Sequence, residues 1–124
     1  MILLVEDNAV NQMVAVHQLE SLGFAAHVVA NGVEAIAALA LIHYDLVLMD
    51  CHMSEMDGFE TTRQIREMKD AKANIPIIAL TANAMGKDKE DCLAAGMTDY
   101  LSKPIDMDQL DEMLSKYLGL KKVA

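Results

Sequence analysis

Short apolar runs alternate along the chain with longer stretches in which apolar residues recur at helical spacing. The runs are Ile2–Val5, Ala25–Val29, Leu46–Met49, Ile75–Leu80 and Thr98–Leu101, and each reads as a strand. The first four lack strict apolar–polar alternation, the pattern of parallel strands covered on both faces. Segments of roughly ten to fifteen residues with helical periodicity separate them, as crossover helices require. Five strands and five helices in strict alternation predict a single doubly wound α/β sandwich.

Local signals set the boundaries. Asn31-Gly32-Val33-Glu34 and Asp57-Gly58-Phe59-Glu60 each place a capping residue three positions before a Glu. Asp106 is the expected cap of the last helix, whose Leu110, Leu114, Tyr117 and Leu118 form one apolar face. Gly23 and Gly96 stand where helices should stop, and Ile75-Pro76 opens the fourth strand, a position that tolerates proline. The first helix carries Val10, Met13, Val14, Val16, Leu19 and Leu22, more apolar surface than one face against a sheet uses. Wide core packing and a partner-docking patch are both open readings of that surplus.

Composition narrows the class. A chain of 124 residues has room for one domain, and a hydrophobic fraction of 53% supplies its core. With 4% aromatics and no Trp, that core is aliphatic, and ten Met residues suggest a pliable core or an adaptable docking surface. The formal net charge of −9, without a basic cluster, argues against nucleic-acid binding. Cys51 and Cys92 have neither metal-ligand nor CxxC spacing and read as reduced, packed thiols of a cytoplasmic protein. His17, His27, His43 and His52 are scattered, with surface or packing roles expected. No apolar run is long enough to span a bilayer, and no signal peptide precedes the first strand. That abrupt opening on Met1-Ile2-Leu3-Leu4-Val5 is what a domain cut from a longer polypeptide would show.

The candidate chemistry follows from the fold class. In open α/β sheets the ligand site lies beyond the carboxyl ends of the strands. Those ends carry Glu6 and Asp7 after strand one, Asp50 at the end of strand three, Thr81 after strand four and Lys103 after strand five. Three carboxylates brought together repel one another unless a cation offsets them, and Mg²⁺ is the hard, oxygen-seeking ion that suits. Asp50 can then serve as metal ligand and as nucleophile toward phosphorus. Lys103 would neutralise one phosphoryl oxygen, and the Thr81 hydroxyl would donate a hydrogen bond to another.

Over essentially its whole length, the chain resembles the receiver domain of two-component response regulators. The resemblance rests on Leu3-Leu4-Val5-Glu6-Asp7-Asn8, Leu48-Met49-Asp50, Met56-Asp57-Gly58, Ala79-Leu80-Thr81-Ala82 and Lys103-Pro104, in that order. Each is a weak motif, and their joint order at strand ends is a strong one. It implies a flavodoxin-like (βα)5 three-layer sandwich over residues 1–124, with a parallel sheet in the order 2-1-3-4-5. It also implies Asp50 as phosphoacceptor, Mg²⁺ held by Glu6, Asp7, Asp50 and the His52 backbone carbonyl, and Thr81 and Tyr100 as a switch pair. The Lys103-Pro104 bond would be cis. Val10-Asn11-Gln12, Met49-Asp50-Cys51 and Leu80-Thr81-Ala82-Asn83-Ala84-Met85 further resemble receivers of hybrid sensor histidine kinases. Such a domain takes its phosphoryl group from a kinase histidine and passes it to a histidine-phosphotransfer protein, which would dock near helix one and the Asp50 rim. It catalyses its own phosphorylation and dephosphorylation without being a metabolic enzyme.

One departure stands out: Ser54 occupies a position where the family usually has proline, removing a fixed φ from the loop after Asp50. His52 and Asn83 flank the reaction centre and would tune hydrolysis of the phosphoryl group. Three other readings compete. An aspartate-nucleophile phosphohydrolase would want a second Asp where His52 stands, and a cap insertion for which 124 residues leave little room. A degenerate receiver acting only as an interaction module would lack a rim acid, Thr81 or Lys103. A flavin-binding domain would carry a Gly- and hydroxyl-rich phosphate loop in place of Glu6 and Asp7.

Overall fold

The three central strands each serve two cores at once. In β1 (Ile2–Val5), Ile2 and Leu4 pack on one side of the sheet and Leu3 and Val5 on the other. The same alternation runs through β3 (Leu46–Asp50) and β4 (Ile77–Thr81), with Leu46, Leu48, Ile78 and Leu80 on the first side and Val47, Met49, Ile77 and Ala79 on the second. Continuous apolar runs in the sequence are the consequence, since either side chain of a pair meets a helix layer. The flanking strands β2 (Ala26–Val29) and β5 (Asp99–Ser102) form the sheet edges and are less buried. All pairings are parallel and the order is β2-β1-β3-β4-β5, as expected.

This computed structural model describes residues 1–51, 58–68, 73–81, 87–103 and 105–118, with residues 87–89 as backbone only. Helices α1 (Ala9–Ser21) and α5 (Met107–Leu118) cover the first side through Ala15, Leu19, Leu110 and Leu114. Helices α2 (Gly32–Leu41), α3 (Gly58–Arg66) and α4 (Lys87–Ala95) cover the second through Ala35, Leu39, Ile65 and Cys92. Among the described residues no helix is long and apolar enough to cross a membrane.

The capping expectations translate into specific bonds. Asn31 Oδ1 accepts from the Glu34 amide at 2.9 Å, while the Glu34 carboxylate reaches back to the Ala30 amide, one residue before the cap. Asp106 Oδ1 accepts from the amides of Asp108 and Gln109 at 2.8 and 3.1 Å. Gly23 and Gly96 take positive φ values of 90° and 106°, the left-handed geometry that ends a helix. Asp57 lies outside the described residues, so its expected capping role is not placed. The fourth strand begins at Ile77, two residues later than expected from Ile75-Pro76. Pro76 has no N–H for the ladder, but its carbonyl accepts from the Val47 amide at 2.9 Å and leads the chain into register.

At the end of the sheet away from Asp50, one cation ties three segments together. Arg66, the last residue of α3, donates from Nε to the Gly96 carbonyl at 2.8 Å and from Nη1 to the Ala73 and Ile75 carbonyls at 3.0 and 2.7 Å. Its Nη2 donates to Thr98 Oγ1 at 3.2 Å, and the same hydroxyl accepts from the Ile77 amide. The planar fork therefore joins the end of α3 to the segments entering β4 and β5, and burial pulls its pKa below the ordinary guanidinium value. A lysine presents a single point of charge and cannot reach these acceptors together. Arg66→Lys should lower the unfolding free energy by about 2 kcal/mol in urea titration, while phosphorylation of the folded domain is unchanged. A loss below about 0.5 kcal/mol, the usual effect of an innocuous surface change, would show that the clasp carries no weight.

Candidate functional site

Strand register brings the acidic residues to one place. Val5 pairs with Met49 across β1 and β3, so Glu6, the next residue, comes level with Asp50. Glu6 continues the alternation of Ile2 and Leu4, and Asp50 that of Leu46 and Leu48, so both belong to the α1–α5 side of the sheet. Leu80 pairs with Leu101 on that side, and Lys103 follows Leu101 by two residues. The Lys103 amide donates to the Thr81 carbonyl at 2.8 Å, which fixes the start of the turn beyond β5.

The side chains meet accordingly. Lys103 Nζ lies 3.2 Å from Glu6 Oε2 and 3.2 Å from Asp50 Oδ1. Both carboxylates are nearly buried, at 2% and 4% exposure, whereas Asp7 is exposed. Burial by itself would lower the Lys103 pKa. The charge of Asp50 and the hydrogen bonds to Asp50 and Glu6 outweigh it, and the net shift is upward. The ammonium is therefore held charged to a higher pH than an ordinary lysine.

Glu6 is clamped from the other side by the first turn of α1. Its Oε1 accepts from the Asn8 amide at 3.2 Å and from Asn11 Nδ2 at 3.3 Å, and its backbone carbonyl accepts from Gln12 Nε2 at 2.6 Å. Asn8 also caps α1, its Oδ1 accepting from the Asn11 amide at 3.0 Å. Sequence reasoning gave Asn8, Asn11 and Gln12 no part in the site. The signal was present, because a buried strand-end carboxylate needs donors and these three polar residues follow within one helical turn.

One carboxylate oxygen from each of Glu6, Asp7 and Asp50 lies within 4.8 Å of the others. With Lys103, these four side chains carry a formal charge of −2, from three carboxylates and one ammonium. An all-oxygen donor set with that surplus fits a hard divalent cation. Both Glu6 oxygens already accept hydrogen bonds from the chain. Glu6 nevertheless remains one of three carboxylates that each offer a ligand atom to a shared ion.

Thr81 ends β4 fully buried and shares the α4 side of the sheet with Ile77 and Ala79. Tyr100 pairs with Ala79 across β4 and β5 and packs, half-buried, against the same core. The two proposed switch residues thus occupy one side of adjacent strands. Below Asp50, Gly58 begins α3 so close to the end of β3 that an added Cβ would collide with the Asp50 carbonyl. Cys51 and Cys92 are fully buried with their sulfurs 3.5 Å apart, in keeping with packing roles, though their mutual contact was not foreseen. His52, Ser54, Asn83 and Pro104, to which a metal contact, a loop change, a tuning role and a cis bond were assigned, lie outside the described residues.

Comparisons with known proteins agree with this architecture. The family model described as the response regulator receiver domain matches residues 2–115. Hybrid signal transduction histidine kinase B of Dictyostelium discoideum is 45% identical over a stretch covering 95% of the chain. The chain spans between 7% and 15% of the length of the curated relatives it matches. Among solved structures, the receiver domain of sensor histidine kinase PA1611 from Pseudomonas aeruginosa, with magnesium coordinated in its active-site cleft, is 46% identical. It superposes with a TM-score of 0.88, covering 96% of this chain and 97% of that one. The receiver domain of Ssk1 from Saccharomyces cerevisiae, crystallised with the histidine phosphotransfer protein Ypd1, is 27% identical with a TM-score of 0.87, covering 98% and 90%. With the family model spanning nearly the whole chain and the strand-end acids gathered around one lysine, the chain belongs to the response regulator receiver domain family of two-component signalling.

Proposed function

We propose that this domain, residues 1–124, accepts a phosphoryl group on Asp50 and relays it within a two-component phosphorelay, as part of a hybrid histidine kinase acting in the cytoplasm. The observation that carries the reading is the nearly buried Asp50 carboxylate held 3.2 Å from Lys103 beside Glu6 and Asp7. Mg²⁺ would be held by Glu6, Asp7, Asp50 and the His52 backbone carbonyl. When bound, it supplies positive charge to the oxygens of the transferred group. An Asp50 oxygen forms the new bond to phosphorus as the phosphorus–nitrogen bond of the donor phosphohistidine breaks, and the electron pair remains on the imidazole. Lys103 neutralises one phosphoryl oxygen, and the buried Thr81 hydroxyl donates to another. Movement of Thr81 toward the phosphoryl group would free space for Tyr100 and alter the α4–β5–α5 face.

Two similarities support the cofactor and the partner: the magnesium-bound Pseudomonas receiver, and the Ssk1 receiver in complex with Ypd1. The apolar surplus of α1 supports the docking site. Val10, Met13 and Val14 are 67%, 73% and 53% exposed, beside the turn that clamps Glu6. A helical phosphotransfer partner could bury this patch while its histidine reaches Asp50.

Incubation with acetyl phosphate and Mg²⁺ should add the mass of one acid-stable, base-labile phosphoryl group, which is absent from Asp50→Asn and in the presence of a chelator. Absence of labelling would favour a module that only binds partners, and turnover of phosphoester substrates would favour a hydrolase. Met13→Glu should label normally with acetyl phosphate, yet exchange phosphoryl groups with a histidine-phosphotransfer protein about tenfold more slowly or worse. Unchanged exchange would remove α1 from the docking surface.

A further inference from the structure

Glu6 enters the site with one torsion that its surroundings must set. The last torsion of a glutamate side chain is broad, so covalent geometry leaves the plane of its carboxylate open. Three donors settle that plane here. The Asn8 amide and Asn11 Nδ2 converge on Oε1 at 3.2 and 3.3 Å, and Lys103 Nζ holds Oε2 at 3.2 Å. The backbone is fixed separately, the Glu6 carbonyl accepting from Gln12 Nε2 at 2.6 Å. Of the three donors on the carboxylate, Asn8 supplies its main chain and Lys103 is shared with Asp50. Asn11 is the neutral side chain of the set, and among the described residues its amide group bonds nothing else.

We infer that Asn11 is a positioning residue, which turns the Glu6 carboxylate so that Oε2 faces the cation shared with Asp7 and Asp50. The inference rests on the proposed Mg²⁺ site. An ionised carboxylate offers about four lone-pair directions, and the donors take two on Oε1 and one on Oε2. The direction left over belongs to Oε2, the oxygen joined to Asp50 through their common lysine. Satisfying a buried charge does not require Asn11, because Asn8 and Lys103 already give each oxygen a partner. What Asn11 adds is direction, reaching Oε1 from a second side. It does so from a fixed place: it is the third residue of α1, and its own amide is held by the Asn8 cap at 3.0 Å. Its side chain belongs to neither core, and the residue is exposed. Hydrogen bonds that orient a ligand in this way commonly set the affinity for the metal.

Comparing two ions separates orientation from charge. Mg²⁺ demands near-octahedral oxygen geometry, whereas Ca²⁺ accepts irregular arrangements. Asn11→Ala changes no formal charge and places a better helix former at an exposed position, so the helix and its long-range attraction for either ion are kept. Isothermal titration of the unphosphorylated domain should show Mg²⁺ binding about tenfold weaker in Asn11→Ala than in the wild type. Ca²⁺ binding should change by about twofold at most. Equal Mg²⁺ affinity in the two proteins would overturn the inference. Parallel losses for both ions would overturn it as well, since they would mark a loss of charge compensation or of structure instead of orientation. A wild-type domain that binds no Mg²⁺ would remove the metal site itself, and this role for Asn11 with it.

Discussion

The ammonium of Lys103, set between two nearly buried carboxylates, is the interaction on which the site rests. Parallel register would otherwise leave Glu6 and Asp50 facing each other from adjacent strands in a place that water scarcely reaches. Two such buried charges without a counterion would be strongly unfavourable. Lys103 offsets them, and its raised pKa reflects the same attraction. Asp7 adds a third negative charge beside them. The site is therefore built slightly short of positive charge, a composition that suits a hard divalent cation.

The scaffold separates this reactive rim from the parts that keep it in place. Alternation along the strands sends Glu6, Asp50 and Lys103 to the α1–α5 side and Thr81 and Tyr100 to the α4 side. Gly58 brings the start of α3 against the Asp50 carbonyl, and the Arg66 clasp fixes the far end of the same helix. The sheet is consequently pinned at its opposite pole.

Much of this could be read from the sequence because parallel strands buried on both sides leave uninterrupted apolar runs, and polar residues within two positions of the end of a run fall on the rim. That logic located Glu6, Asp7, Asp50, Thr81 and Lys103 without reference to packing. Pro76 misled the start of β4, since its carbonyl takes part in the register although its nitrogen cannot. The Asn8, Asn11 and Gln12 clamp, the Arg66 clasp and the Cys51–Cys92 contact depend on distances across the fold that spacing along the chain does not encode.

The central claim is that the carboxylate surplus around Lys103 forms one divalent-cation site. Isothermal titration of the unphosphorylated domain with Mg²⁺ tests it most directly. The account predicts a single ion per chain, binding lost in Asp7→Asn, and tighter binding in Lys103→Gln, where the competing ammonium is gone. Absence of binding by the wild-type domain, or equal binding by Asp7→Asn, would contradict it.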